Sequence, residues 1–233
     1  KVHSTVEAES RVILDPHVTT GSTHDGKMLM DRIEYVQINR DFEIKAVTAD
    51  RAYGFGENLV ALEEQKIEAH IGTFHRGAGD AVKELKYSVK KNSFRCPLGQ
   101  TLYAQGTSAQ GNVRFAFKDR PCTNCEQRQS CPARPKLKQE KFIVVSQHHQ
   151  IMRRTSEREK TPLFAEKLKA RMWKIEGLFA EAKVNHCLSR AKNRGLAKVQ
   201  IQAYMIGMVQ NLKRLLVHSE ARIGDLILNI FVE

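Results

Sequence analysis

The hydrophobic period changes repeatedly along the first 75 residues, and this alternation constrains the fold more than any other feature. "VHSTVEA" and "ESRVILDPHVTT" alternate apolar and polar positions, with Val12, Leu14 and Val18 in phase, so two strands joined by a turn are predicted. Between residues 27 and 40 the period lengthens. Leu29, Ile33 and Val36 fall at i, i+4 and i+7, the stripe of an amphipathic helix. "FEIKAVTA" then reads as a strand, "GENLVALEEQK" as a helix with Leu59 and Leu62 on one face, and "IEAHIGTF" as another strand. That order predicts an α/β fold, a sheet with parallel members and helices packed on it.

After about residue 76 the composition shifts to glycine, glutamine, cysteine and basic residues. Val113, Phe115 and Phe117 alternate after Gly111 as in a hairpin, and "KFIVVS" reads as a further strand. Residues 76–146 are therefore expected to form a small β-rich insertion between a first part, 1–75, and C-terminal helices, 147–233. The helical region from Gln147 to His186 should break at Thr161-Pro162, since proline suits a helix's first turn and not its interior. A last helix, about Ala197 to His218, lines up Ile201, Met205, Met208, Val209, Leu212 and Leu216 as an apolar face.

Four of the five cysteines cluster: Cys96 in "FRCPLGQ", and Cys122, Cys125 and Cys131 in "PCTNCEQRQSCPA". The C-x2-C pair in a tight turn can turn two thiolates toward one tetrahedral Zn2+, with Cys96 and Cys131 completing a four-sulfur site. The competing reading is a set of unliganded thiols in a loop-rich segment. Cys187, in a helical region, is expected to serve packing. His148 and His149 read as a helix-start pair.

Charge is unevenly placed. Residues 1–90 hold 12 Lys/Arg against 15 Asp/Glu, whereas residues 91–233 hold 26 against 11, so the whole excess of the +12 chain lies in the second part. Such a field gathers polyanions by counterion release, or else merely solvates a surface. No run reaches the roughly 18 apolar residues of a membrane helix, and "KVHSTVEAES" lacks a signal-peptide layout. We read a soluble cytoplasmic protein whose sequence opens inside a larger one, because strand alternation starts at once.

Two acids stand in positions suited to chemistry. Asp50 ends the run "KAVTA" before "RAYGFGEN", at the carboxyl end of a strand, where an α/β sheet opens a crevice; an aspartate there also serves as a turn former or helix cap. Glu176 sits among Ile175, Leu178 and Phe179 in "RMWKIEGLFAEAKVNH", a helix whose Trp173, Phe179 and Ala182 belong with the core. Lys183 follows at i+7, on nearly the same bearing, and Arg171 precedes by five residues, so an acid for metal has cations for phosphate beside it. Ordinary surface charge decoration is the alternative.

"HVTTGSTHDG", "VTADRAYGFGENLVALEEQKIEAHI", the segment from "CPLGQ" to "CTNCEQRQSC", "RMWKIEGLFAEAK" and "NRGLAKVQIQAYMIGMVQNLKRLL" together resemble an insertion-sequence transposase of the DDE type. The group resembled carries a cysteine-rich insertion between its second and third catalytic acids, and the likeness runs in order over nearly the whole chain. It implies an RNase H-like core in which Asp50 is the second acid and Glu176 the third, with Arg171 and Lys183 at the flanking basic positions. The usual tyrosine three residues before that arginine is Leu168 here.

The first acid would lie upstream of "KVHSTVEA". Asp15 and Asp25 fall in the family's third strand and a following loop, so the chain is expected to be an N-terminally truncated fragment. The resemblance further implies Mg2+ (or Mn2+) held by the acids, double-stranded DNA of the element ends and target as partner, and a homo-oligomer on DNA in the nucleoid. Lys183, Arg190, Lys192 and Arg194 would hold phosphates, with Lys213 and Arg214 as a second basic step. Other classes with the same basic face are a zinc-stabilised DNA-binding remnant without chemistry and an RNase H-like nuclease that cuts without joining.

Overall fold

A computed structural model describes residues 1–40, 42–73 and 84–230, with side chains of the last helix described through residue 217. The chain divides into two compact units, one formed by residues 1–49 and 165–233, the other by residues 50–164. The architecture is mixed α/β.

In the first unit, β1 (Val2–Val6) and β2 (Ile13–Val18) pair antiparallel from Val2↔Val18 to Val6↔Ile13, with an irregularity at Thr5/Val6. The two strands are as expected and Val18 is buried, but in the first half of β2 the phase differs by one residue: Ile13 and Asp15 are buried, whereas Val12 and Leu14 are half-buried. The irregular register, in which Thr5 pairs with Asp15 and Val6 with Ile13 so that Leu14 is passed over, accounts for it, because a one-residue slip reverses which side chains face inward. A 3-10 turn, Asp25–Met28, leads into α1 (Leu29–Arg40), which buries Leu29, Ile33 and Val36 as the period requires. Arg32 of α1 reaches Asp15 at 3.3 Å. Burial drives that carboxyl up, and the guanidinium opposes the shift without cancelling it. β3 (Ala46–Ala49) completes the stretch.

After α4 (Pro162–Arg171) come α5 (Gly177–Asn185) and α6 (Leu196–Ile230). Proline at the first position of α4 fits the predicted break. The rotation of α6 overturns an expectation. Ile201, Met205, Met208, Leu212 and Leu216 were expected to pack inward, but they face outward, with Ile201 61% and Met205 54% exposed, while Ala203, Ile206 and Gln210 are buried. Amides determine this bearing. Asn211 Oδ1 accepts from Ile13 N and its Nδ2 donates to Ile13 O, both at 2.9 Å; Gln200 accepts from Val18 N at 2.8 Å and donates to Pro16 O. The outer edge of β2 thus satisfies its backbone on helix side chains, and a buried strand edge left without partners would cost more than a methionine left in water.

The second unit contains α2 (Gly56–Glu64), β4 (Glu68–Ile71), an antiparallel sheet and α3 (His149–Arg158). The sheet runs in chain order: β5 (Lys86–Ser88), β6 (Ser93–Arg95), β7 (Thr101–Thr107), β8 (Val113–Phe117) and β9 (Phe142–Val145). The predicted β-rich segment is present, with an added hairpin, β5–β6, that sequence periodicity does not reveal in such short strands. The start of the expected insertion, residues 76–83, lies outside the described residues, as does Phe74.

Phe94, Leu102, Phe115, Phe117 and Ile143 form the heart of this sheet's core. Each contributes about 1.5–3 kcal/mol through burial.

His149 joins that core. Its ring lies 4.7 Å from Tyr87 and 5.2 Å from Phe94, and burial pushes its pKa down to about 4. The unfolded chain therefore binds a proton that the folded one refuses. Stability is full above about pH 6.5 and is lost as pH falls toward about 4, by an amount on the order of 3 kcal/mol. Urea midpoints measured between pH 7 and pH 4 should show this loss in the wild type and a flatter profile in His149→Phe.

Candidate catalytic acids and cysteine cluster

Asp50 follows β3 directly and opens a 3-10 turn, Arg51–Tyr53. Its side chain is exposed, and Oδ1 accepts from Ala52 N at 3.3 Å, so the capping role and an accessible carboxylate coexist. The glycines that follow have a packing reason. A Cβ on Gly54 would stand 1.9 Å from Gly72 O, and one on Gly56 would stand 2.2 Å from His148 Cβ. The turn is thus pressed onto the end of β4 and the start of α3, and only glycine permits that approach.

Glu159, at the end of α3, fastens the same turn. Its Oε1 accepts from Thr73 N at 2.6 Å and from Thr73 Oγ1 at 2.7 Å, and Oε2 meets Arg51 at 3.4 Å. Thr73 is fully buried, so the carboxylate satisfies a backbone donor at the end of β4 that water does not reach. Sequence reasoning misses Glu159, because a Glu-Lys pair at a helix end looks like solvated charge.

Glu176 occupies a special turn. Residues Met172–Glu176 form a π-helical turn between α4 and α5, and Glu176 is its last residue, exposed. Wide turns of this kind recur at functional sites because they re-aim one side chain within a helix. The five residues from Arg171 to Glu176 match the i→i+5 spacing of such a turn. Lys183 is exposed two turns further on.

Trp173, expected in the core, is 58% exposed. Its ring lies under Arg11, 5.5 Å from the guanidinium carbon, and Arg11 Nε also donates to Lys174 O. The wide turn swings the indole out of the stripe that a regular helix would form, leaving Leu178 and Ala182 buried. Arg11, from the β1–β2 turn, is a second contributor that sequence spacing does not reveal.

The proposed phosphate-holding residues divide into two kinds. Arg190, Lys192 and Arg194 are exposed in the loop between α5 and α6, which Gln202 braces by accepting from Lys192 N and donating to Cys187 O and Arg190 O. Lys213 and Arg214 instead engage Glu181, at 2.9 and 3.6 Å. Burial pushes the Glu181 carboxyl up, but hydrogen bonds from Lys213 and Gln210 and the charges of Lys213 and Arg214 prevail and hold it at about 2. That cluster ties α5 to α6. Cys187, expected to pack, is exposed, with φ 57°.

Cys96, Cys122 and Cys131 are packed against one hydrophobic core, and all four clustered cysteines are half-buried free thiols. Burial raises the Cys122 thiol, and charge on Cys125, Cys96 and Cys131 raises it further, as expected of sulfurs that sense one another. Among the described residues no group of three or more His, Cys, Asp or Glu side chains is gathered into a metal cage. Asp50 lies in the unit of the cysteines and Glu176 in the other.

A family model described as a transposase DDE domain matches residues 95–216, more than half of the chain. The matched stretch contains the four clustered cysteines, Glu176 and the basic loop; Asp50 precedes it. No curated protein and no solved structure matches the chain. Among the described residues no helix is long and apolar enough to cross a membrane.

Proposed function

The chain belongs to the transposase DDE domain family, and from that premise we propose that Asp50 and Glu176 are two of the acids of a metal-dependent site that cuts and joins DNA ends on an RNase H-like core. The observation that carries the reading is Glu176, which closes the one π-helical turn among the described residues, inside the matched stretch and between Arg171 and Lys183.

Both carboxylates are exposed, and their hard oxygens suit Mg2+ or Mn2+. A divalent ion held by Asp50 and Glu176 would supply polarisation of a phosphoryl group and activation of a hydroxyl or water. The chain's own part is to hold and orient. Asp50 is kept in place by its cap to Ala52 and by the turn that Glu159 fastens. Glu176 is presented by the wide turn braced by Arg11. Arg171, Lys183, Arg190, Lys192 and Arg194 then position phosphates without reading sequence. Neither Asp15, buried against Arg32, nor Asp25, paired with Lys1 at 2.9 Å, is assigned as a further acid.

In the sheet unit the four clustered thiols would hold structural Zn2+ as thiolates. The mutual repulsion felt at Cys122 is what a divalent cation would relieve, and four thiolates are the donor set that a structural zinc takes.

Incubating the complete protein with labelled element ends, target DNA and Mg2+ tests the reading. Joined strands are expected. Nicked ends that never join would favour a nuclease, and DNA binding with no metal-dependent cleavage would favour a remnant that binds only.

A further inference from the structure

The sheet β5–β9 has one face toward its core and the other turned away, and the second face has a distinctive chemistry. Strand register places Lys86 opposite Arg95, Tyr103 in one row with Phe142 across Ala116, and Arg114 opposite Val144, all on the outward side. Tyr103 is 55% exposed. The Arg114 guanidinium lies over the Phe142 ring, 4.0 Å from its centre. None of the five strands contains Asp or Glu, and residues 84–146 hold 12 Lys/Arg against 4 Asp/Glu. Two of those cations, Arg128 and Arg134, are engaged by Glu140, but the three on the outward face belong to strands without any acid.

We propose that this face is a platform for unpaired DNA, on which bases stack against Tyr103 and the Arg114–Phe142 pair while Lys86 and Arg95 hold phosphates. That the nucleic acid is DNA rests on the function proposed above; the stacking rests on the face alone. A half-exposed tyrosine on a sheet face offers a π surface to any base, and a guanidinium already lying on a ring extends that surface. Within a duplex both faces of every internal base are occupied by neighbouring bases, so the rings can receive only nucleotides outside the helix, as at a frayed or newly cut end. The cations along the face complement phosphate, and the absence of acids removes the repulsion that would keep a strand away.

The test measures binding of a fluorescent single-stranded oligonucleotide, and of the duplex of the same sequence, to the complete protein in EDTA at two salt concentrations. Without divalent metal no cleavage occurs, so this result stands or falls separately from the catalytic reading. Tyr103→Ala is expected to weaken single-strand binding about tenfold or more and to change duplex binding less than about twofold, whereas Tyr103→Phe, which keeps the ring, should match the wild type. Arg95→Ala should reduce the slope of log affinity against log salt by about 0.7 for single strands. Wild-type single-strand affinity in Tyr103→Ala, an equal loss for duplex, or failure of Tyr103→Phe to preserve binding would overturn the proposal.

Discussion

Replacing Glu176 or Asp50 by alanine in the complete protein is expected to lower metal-dependent strand cleavage and joining by about a thousandfold or more, since each removes a ligand whose metal supplies several kcal/mol of transition-state stabilisation. The isosteric amides make the test sharper. Asp50→Asn keeps an oxygen to accept from Ala52 N, and hence keeps the cap, but lacks the charge needed to hold a divalent cation. If Asp50→Asn is as inactive as Asp50→Ala, the carboxylate acts as a ligand. If Asp50→Asn cleaves normally and only Asp50→Ala fails, the residue merely caps its turn, and the assignment is wrong. Glu176→Gln gives the parallel comparison at the π turn, where no cap depends on the side chain.

The second large effect concerns the cysteines. Purified with reduced thiols, the protein is expected to hold about one Zn2+ per chain, and Cys122→Ser or Cys125→Ser should bring that to near none. The physical reason lies in the core. Cys96, Cys122 and Cys131 pack on the same apolar cluster that holds Phe94, Phe115 and Ile143, so a metal joining them would staple the loops between β6 and β9 to the sheet. Loss of zinc should therefore lower the unfolding temperature of the sheet unit and expose residues 119–141 to protease, while its aromatic core keeps the sheet itself together. A wild-type protein with intact thiols and no zinc would remove the four-sulfur site.

Where one face of an element is simply buried, the sequence was a reliable guide. Leu29, Ile33 and Val36 are inside because a 3.6 period leaves no other stripe, and Leu59 and Leu62 follow the same rule. The break at Pro162 was legible because proline forbids a helix interior. Errors arose where polar atoms overrode the apolar count. On α6, four amide hydrogen bonds to β2 set the rotation and turn the methionines outward, and no hydropathy pattern encodes a hydrogen bond to a strand 182 to 198 residues away. At Trp173 a single wide turn left the indole outside, while Ala182 further along is buried as expected. Asp50 and Glu176 stand out as residues at odd places, an acid before glycines and an acid in an apolar run. Glu159 and Arg11, which brace them, have no such local signature.

The most direct measurement places Fe2+ in the site in place of Mg2+ and maps where peroxide-generated radicals cut the polypeptide of the DNA-bound protein. Two acids that share metal ions predict cuts beside both Asp50 and Glu176, suppressed at both positions by either amide variant. Cuts beside one acid alone, unaffected when the other is changed, would contradict a shared site.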